Sequence, residues 1–448
     1  MSEPANILLK NVVRPGCCTG CGACVALADA SGADMHPSPT GPVPDFGGSV
    51  VSEAALRVCP AYRMSYPELY RSHYGGPPES WLLGRVVQVR TGHACDPRVR
   101  RLGASGGVIT SVLRHLLETG KVDGVIAVRQ GVPTPDQARA VICESRQEIE
   151  ACSESVYIPV SVLDVLRKLE PGKRYAMTCL PDQSAALRAL QQEGHAAARQ
   201  VEYVLGPYTG TALYPSAIRS YLKGKGVKPD DAITSLKWRA GEWPGYLEIT
   251  TASGNVFRSK KAYYNFLTPF FITRNSLQNM DFANEFCDLS VGDAWSPAFE
   301  SKGGGYAVYT TRSKRMEDVI QEMMCAGVLI GEDIDPLRAA EMHGHMLDFK
   351  KRGGYIRNSM RRALGLAAPD FGMRPSPLPL SRRLVEVVIS GLFIVCGTGP
   401  MRWLLTCVPE RIIGPLFNRL RLSWKAVSKP TKRKGLEELT MLETDSSS

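Results

Sequence analysis

Residues 84–94, GRVVQVRTGHA, alternate apolar and polar side chains, which is the two-residue period of a strand. The period then lengthens. From the small residues of GASGGVIT (103–110) onward, Val108, Val112, Leu113, Leu116 and Leu117 recur at helical spacing, and Gly120 supplies a stop. VDGVIAV follows as a strand. The stretch RYAMTCLPDQSAALRALQQEG (174–194) reads as strand, turn at Pro181 and helix, and VEYVLGPYTGTALYPSAIRSYLKGKGV repeats that order. Alternating strands and helices predict an α/β core within a mixed α/β chain. YLEITTASGNVFRSK (246–260) predicts a hairpin turning at Ser253-Gly254. Residues 1–75, rich in Gly and Pro, predict irregular structure. Beyond about His345 the pattern becomes helical segments with loops, and the terminal ETDSSS reads as disordered.

The length of 448 residues predicts two to four domains, and 44% hydrophobic with 22% charged residues is ordinary for a folded soluble protein. The net charge of +10 changes the picture only at one place. Arg382–Lys434 carries eleven Lys/Arg against two Glu, and the rest is close to balance. In that segment LVEVVISGLFIVCG (384–397) is short for a membrane span, and MRWLLTCV and RIIGPLFNRLRLSW follow, broken by Gly397, Pro400 and Pro409. Apolar residues mixed with Arg and Lys predict interfacial helices on an anionic membrane surface; the alternatives are helices docked on the core with a solvated basic end, and a hairpin or tilted span over 384–408, in which Arg402 would sit awkwardly. No recognition motif accompanies the charge, so nucleic acid is not an expected partner. The N-terminus MSEPANILLKNVV lacks the basic, apolar, small-residue order of a secretory signal. The expected location is cytoplasmic, with peripheral contact at the inner face of a membrane.

Thirteen cysteines, five of them before residue 60, then suggest metal or redox chemistry rather than disulfides. In GCCTGCGACV (16–25), Cys18, Cys21 and Cys24 form C-x-x-C-x-x-C, and Cys59 follows, trailed by Pro60. Three closely spaced thiolates with a remote Cys-Pro are the pattern of a 4Fe-4S cluster in a ferredoxin-type module. Soft thiolates suit iron, and Gly20, Gly22 and Ala23 let the loop close around a bulky group. A structural zinc site or unrelated buried cysteines are the competing readings. Cys17 either stands outside the ligand set or exchanges with Cys18 in register. No cysteine lies between Cys24 and Cys59, so the module holds at most one cluster.

Ser105, Gly106 and Gly107 open a helix, where backbone N–H groups and the helix dipole favour an anion and glycine lets a phosphate or flat ring approach. A small-residue helix start packed under a strand reads equally well. GASGGVITSVLRHLLETGKVDGVIAV, TCLPDQSAALRAL, VLGPYTGTA and above all MDFANEFCDLSVGDAW (280–295) together resemble the coenzyme F420 hydrogenase/dehydrogenase beta-subunit family, which includes ferredoxin-dependent chlorophyll-pathway reductases. The resemblance spans roughly 15–345. It implies FAD, iron–sulfur clusters and electron transfer between them, with Ser105, Gly106, Gly107 and Thr110 against the flavin and Asp288 and Asp293 shaping the same cleft. It divides the chain into a ferredoxin-like module (1–75), two parts of a flavin-binding catalytic domain (76–160 and 161–345) and a basic helical extension (346–448). The family usually has cysteines where this chain has Asp182, Thr209, Ser276 and Asn279, which implies that a cluster in the catalytic domain is lost. Trp238, Arg239, Trp243, Lys260, Lys261, Tyr263 and Tyr264 offer charge and rings for an anionic substrate, although a basic face with packed aromatics explains each singly. His93, His115 and His195 read as structural. No residue speaks for F420 itself. The expected function is an oxidoreductase that passes electrons from a ferredoxin-like donor through one 4Fe-4S cluster to a flavin and on to an organic substrate. The second expectation is a non-catalytic, membrane-associated partner subunit with a structural cluster.

Overall fold

In the computed structural model the described residues are 2–29, 32–260 and 265–444. Eight strands form the central sheet: β1 (Gln88–Ala94), β2 (Gly124–Gln130), β3 (Ala138–Cys143), β4 (Tyr175–Thr178), β5 (Val201–Pro207), β6 (Leu289–Asp293), β7 (Ala307–Thr311) and β8 (Leu329–Asp333). Their spatial order is β8-β1-β7-β6-β5-β4-β2-β3. The four neighbours β6, β5, β4 and β2 are parallel, and every other pairing is antiparallel. Helix α1 (Val108–Glu118) buries Val108, Val112, Leu113 and Leu116 on one face of the sheet. Helix α2 (Pro181–Gln192), with Pro181 pre-set for the first helical turn, buries Ala185, Ala186, Leu187 and Leu190 on the other. Both faces are therefore covered, which makes a three-layer mixed α/β body.

The strand, turn and helix readings at 103–130, 174–192 and 201–224 match these elements, and so does the hairpin, with strands 246–251 and 256–260 pairing around Ser253-Gly254. A third strand, Ile233–Ala240, completes that smaller sheet and extends it toward the edge of the large one. The irregular N-terminus needs correction. Glu3–Leu8 is helical and continues as a π-helical turn to Val13, and Tyr66–Tyr74 is a helix capped by Ser65. Helix α3 (Pro336–Ala363) runs without a break through position 345. Helices α4 (Leu380–Cys396), α5 (Gly399–Cys407) and α6 (Glu410–Arg433) complete the helical C-terminal region.

Candidate functional site

Cys18, Cys21, Cys24 and Cys59 line one cavity, walled by Leu8, Val12 and other apolar side chains. The C-x-x-C-x-x-C loop can make this turn because Gly20 and Gly22 sit at positive φ, 74° and 89°. A Cβ on Gly22 would lie 2.5 Å from Ser161 Oγ and 2.6 Å from the Asp164 nitrogen, so the loop presses against the α/β body there. Burial and the neighbouring thiols push Cys18 up to about 12, and burial pushes Cys21 up to about 11. Four thiols crowded in an apolar cavity are costly to ionise alone, and a cationic metal core offsets that cost. Among the described residues no three His, Cys, Asp or Glu side chains converge on a single-ion site. The four thiols face a shared space. Cys17 is turned away: its thiol donates to the Ala367 carbonyl at 3.6 Å, and its side chain packs in the small core of the N-terminal residues.

The glycine turn lies beyond the end of β1, at the same sheet edge as the end of β6, because β1 and β6 run parallel on either side of β7. Ligands of open α/β sheets bind outside the carboxyl ends of parallel strands. Here Asp293, the last residue of β6, gathers three side chains. Ser105 Oγ donates to it at 2.8 Å, Trp243 Nε1 at 2.9 Å, and the Arg239 guanidinium at 3.2 Å. Trp243 and Trp295 rings lie 5.0 Å apart beside this cluster. Helix α1 begins at Val108, with Gly107 as its N-cap and no side-chain cap bond. Thr110 is buried in the first turn.

The two glycines do not open a cradle. A Cβ on Gly106 would meet His93 Cβ at 3.0 Å, and one on Gly107 would lie 2.6 Å from the Val99 carbonyl oxygen. Both are needed for packing against protein. The polar side chains gathered at this edge are Ser105, Arg239 and Trp243 around Asp293.

Asp288 does not join that cleft. It sits at the other end of β6, roughly 16 Å away along the strand. There it accepts from Arg188 at 2.9 Å and from the Val204 N–H at 2.9 Å, fully inside the body. Burial pulls its carboxyl up, but the Arg188 guanidinium wins and holds it below the usual carboxylate range. Asp288 is a structural ion-pair partner. His93, His115 and His195 likewise bond to the Ala94 carbonyl, Glu322 and the Ala26 carbonyl, as structural histidines would. Trp238 is buried in the core of the smaller sheet and Lys260 is exposed at its edge, while Lys261, Tyr263 and Tyr264 lie outside the described residues.

Residues 89–167 match the N-terminal part, and residues 172–336 the C-terminal part, of the family described as coenzyme F420 hydrogenase/dehydrogenase, beta subunit. The chain belongs to this family. Similar curated proteins include the coenzyme F420-dependent sulfite reductase of Methanocaldococcus jannaschii, 25% identical over 56% of this chain and 39% of that protein. Another is the F420-dependent formate dehydrogenase 1 subunit beta of Methanococcus maripaludis, 23% identical over 29% of this chain and 33% of that protein. The chain thus spans no more than about two fifths of the curated relatives it matches. Among solved structures, a chain of the F420-reducing [NiFe] hydrogenase complex from Methanosarcina barkeri shares the fold, with TM-score 0.51 and 17% identity over 65% of this chain and 98% of that one. The chain is thus related to oxidoreductases and to subunits of multi-subunit enzymes.

Asp182, Thr209, Ser276 and Asn279 are each engaged by other groups of the fold. Asp182 starts α2 and is buried; its carboxylate takes hydrogen bonds from Thr19 and Asn275, while burial pushes it up. Ser276 Oγ accepts from the Ala212 N–H at 2.8 Å and pairs with Thr273 Oγ1 at 2.7 Å. Asn279 Oδ1 accepts from the Asp281 N–H at 2.7 Å, and Thr209 Oγ1 donates to the Pro207 carbonyl at 3.1 Å. Lys350 of α3 reaches in and donates to the Ser276 carbonyl at 2.7 Å, with Asp182 and Asp281 near enough to attract its charge. Sequence reasoning missed this lysine, and only its polar neighbours on an otherwise buried helix face hint at it. Through Thr19, Asp182 also ties the body to the cysteine loop.

Proposed function

We propose that this chain is the redox-active subunit of an oxidoreductase complex. Residues 1–75 form a ferredoxin-like module whose Cys18, Cys21, Cys24 and Cys59 hold one 4Fe-4S cluster. The carboxyl edge of the sheet within 76–345 takes a flavin-class cofactor at Ser105, Arg239, Trp243 and Asp293, and 346–448 is an extension. The ring of four thiols in one apolar cavity carries the reading. When bound, the cluster supplies one-electron transfer and the flavin-class ring supplies hydride chemistry. The chain's own residues do the rest. Arg239 and the start of α1 attract an anionic cofactor, and Trp243 and Trp295 offer ring faces. The end of β4 and the end of β6 are two strand spacings apart, roughly 10 Å, so the cysteine loop held by Asp182 lies close to that edge. The resemblance implies FAD, whereas the relatives' names point to coenzyme F420 as the hydride partner. An electron-donor protein of ferredoxin type and an organic substrate complete the scheme.

The test adds FAD, reduced F420 or both to anaerobically prepared protein and follows cluster absorbance. Reduced F420 that bleaches the cluster only when FAD is present identifies FAD as resident and F420 as partner. Retained iron with neither cofactor bound points to the second reading, a partner subunit with a structural cluster. One observation favours that alternative: Ser105, Arg239 and Trp243 already bond to Asp293.

A further inference from the structure

Helix α4 is built inside out. Arg382 and Glu386 are fully buried on its inward side, where Arg382 bridges Asp348 at 2.8 Å and Glu386 at 2.9 Å. Its outward side is aliphatic: Leu380, Leu384, Val387, Val388, Ile394 and Val395 are between 49% and 71% exposed. These positions follow i, i+4, i+7, i+8, i+14 and i+15, one stripe of a helix. Helix α5 adds Trp403, 63% exposed, and α6 adds Ile412, Leu416 and Leu420 at a four-residue period. Exposed apolar side chains in this number on a folded protein mark an interaction site.

Charge says what covers it. Between 380 and 434 the two carboxylates are Glu386 and Glu410. Glu386 is tied to Arg357 and Arg382, and Glu410 to Lys225 and Ser259. The exposed charges there are basic, among them Arg383, Arg411, Arg419, Lys425, Lys429 and Arg433. A protein-binding face is typically enriched in aromatic residues and poor in Lys, whereas an aliphatic face with Lys and Arg around it fits anionic headgroups over an acyl boundary. Among the described residues no single helix is long and apolar enough to span, and α4 and α5 qualify only as a pair bent by 71°. Arg402 donates to the Phe270 carbonyl at 2.8 Å, which fastens α5 to the body.

We propose that α4, α5 and α6 dock this protein in the interface of an anionic phospholipid bilayer, aliphatic face down and basic side chains among the headgroups. This goes beyond the redox reading and stands independently of it. The full chain is sedimented with phosphatidylcholine vesicles with and without phosphatidylglycerol. The wild type pellets with the anionic vesicles, and Trp403 emission shifts to the blue. Arg419→Gln, Lys425→Gln and Lys429→Gln together weaken binding about a hundred-fold at low salt. Leu384→Gln with Val388→Gln weakens it at least about ten-fold without changing the helical signal. Wild type that stays in the supernatant with anionic vesicles overturns the proposal. So does binding unmoved by both sets of substitutions, and so does self-association through this face without vesicle binding. Iron content remains that of wild type in every variant, so a failure here leaves the cluster reading untouched.

Discussion

Replacing Gly107 by alanine separates packing from cofactor binding at the glycine turn. Gly107 caps α1 at φ 75°, and its added Cβ would lie 2.6 Å from the Val99 oxygen, 2.9 Å from the Val99 carbonyl carbon and 3.1 Å from Arg100 Cα. That oxygen already accepts from the Gly103 N–H at 3.0 Å, and Val99 is fully buried, so the backbone has nowhere to retreat. The left-handed conformation costs an L-residue about 1–2 kcal/mol. Weakening the adjacent hydrogen bond adds about 1 kcal/mol, for a total of about 2–3 kcal/mol. At roughly 1–2 °C per kcal/mol for a chain of 448 residues, Tm falls by about 2–6 °C. Ser105→Ala is the companion: it loses one hydrogen bond to Asp293, about 1 kcal/mol, so Tm falls by only about 1–2 °C. Thermal unfolding followed by circular dichroism reads both. A Gly107→Ala protein that melts no lower than Ser105→Ala would refute the packing argument and return the glycine to the cofactor.

Ser105→Ala is also expected to weaken retention of the flavin-class cofactor while leaving iron content unchanged, as measured by equilibrium dialysis and iron assay; equal affinity removes Ser105 from the site. Asp288→Asn strands the buried Arg188 and should destabilise by about 3–5 kcal/mol. Because Asp288 is held below the ordinary range, its contribution is complete above about pH 4 and is lost as pH falls through the lower folded value. The acid limb of stability should therefore flatten in the variant, and an unchanged limb contradicts the pairing. Burial, aided by Arg357, pushes Lys350 down to about 7. The unfolded chain keeps that proton up to about pH 10.4, so wild-type stability should climb between about pH 7 and 10, and Lys350→Met should lack the climb in denaturant melts. Asp182→Ala unties Thr19 from the body and should speed iron loss to a chelator about ten-fold, with Asp182→Asn milder; equal rates would show that the tie does not matter.

Strands β2, β4 and β5 were legible because they are apolar runs set between helical stretches with visible turns and stops, and β1 because its residues alternate. Strands β6 and β7 were not. LSVGD in β6 is buried on both faces and short, so it shows no two-residue period, and β7 is buried at every position. The motif around them drew attention to chemistry, and it placed Asp288 beside Asp293. A strand sends residues five apart to opposite ends of the sheet, which is why one became a buried ion pair and the other the hub of the cleft. Glycine and proline at the N-terminus masked the helix at 3–8 because composition was read over the whole of 1–75. The cysteine spacing was informative on its own, yet choosing between Cys17 and Cys18 needed the fold, since only the turn decides which thiol faces the cavity. The amphipathic tail was visible as mixed charge and apolarity, but not that α4 buries its charges and presents its aliphatics.

The most direct test of the account is the iron and acid-labile sulfide content per chain after anaerobic purification, for wild type and for Cys59→Ala. The account predicts about four irons and four sulfides in wild type and loss of both in the variant. About eight irons would contradict the closed polar filling around Lys350, and one zinc in place of iron would contradict the cluster itself.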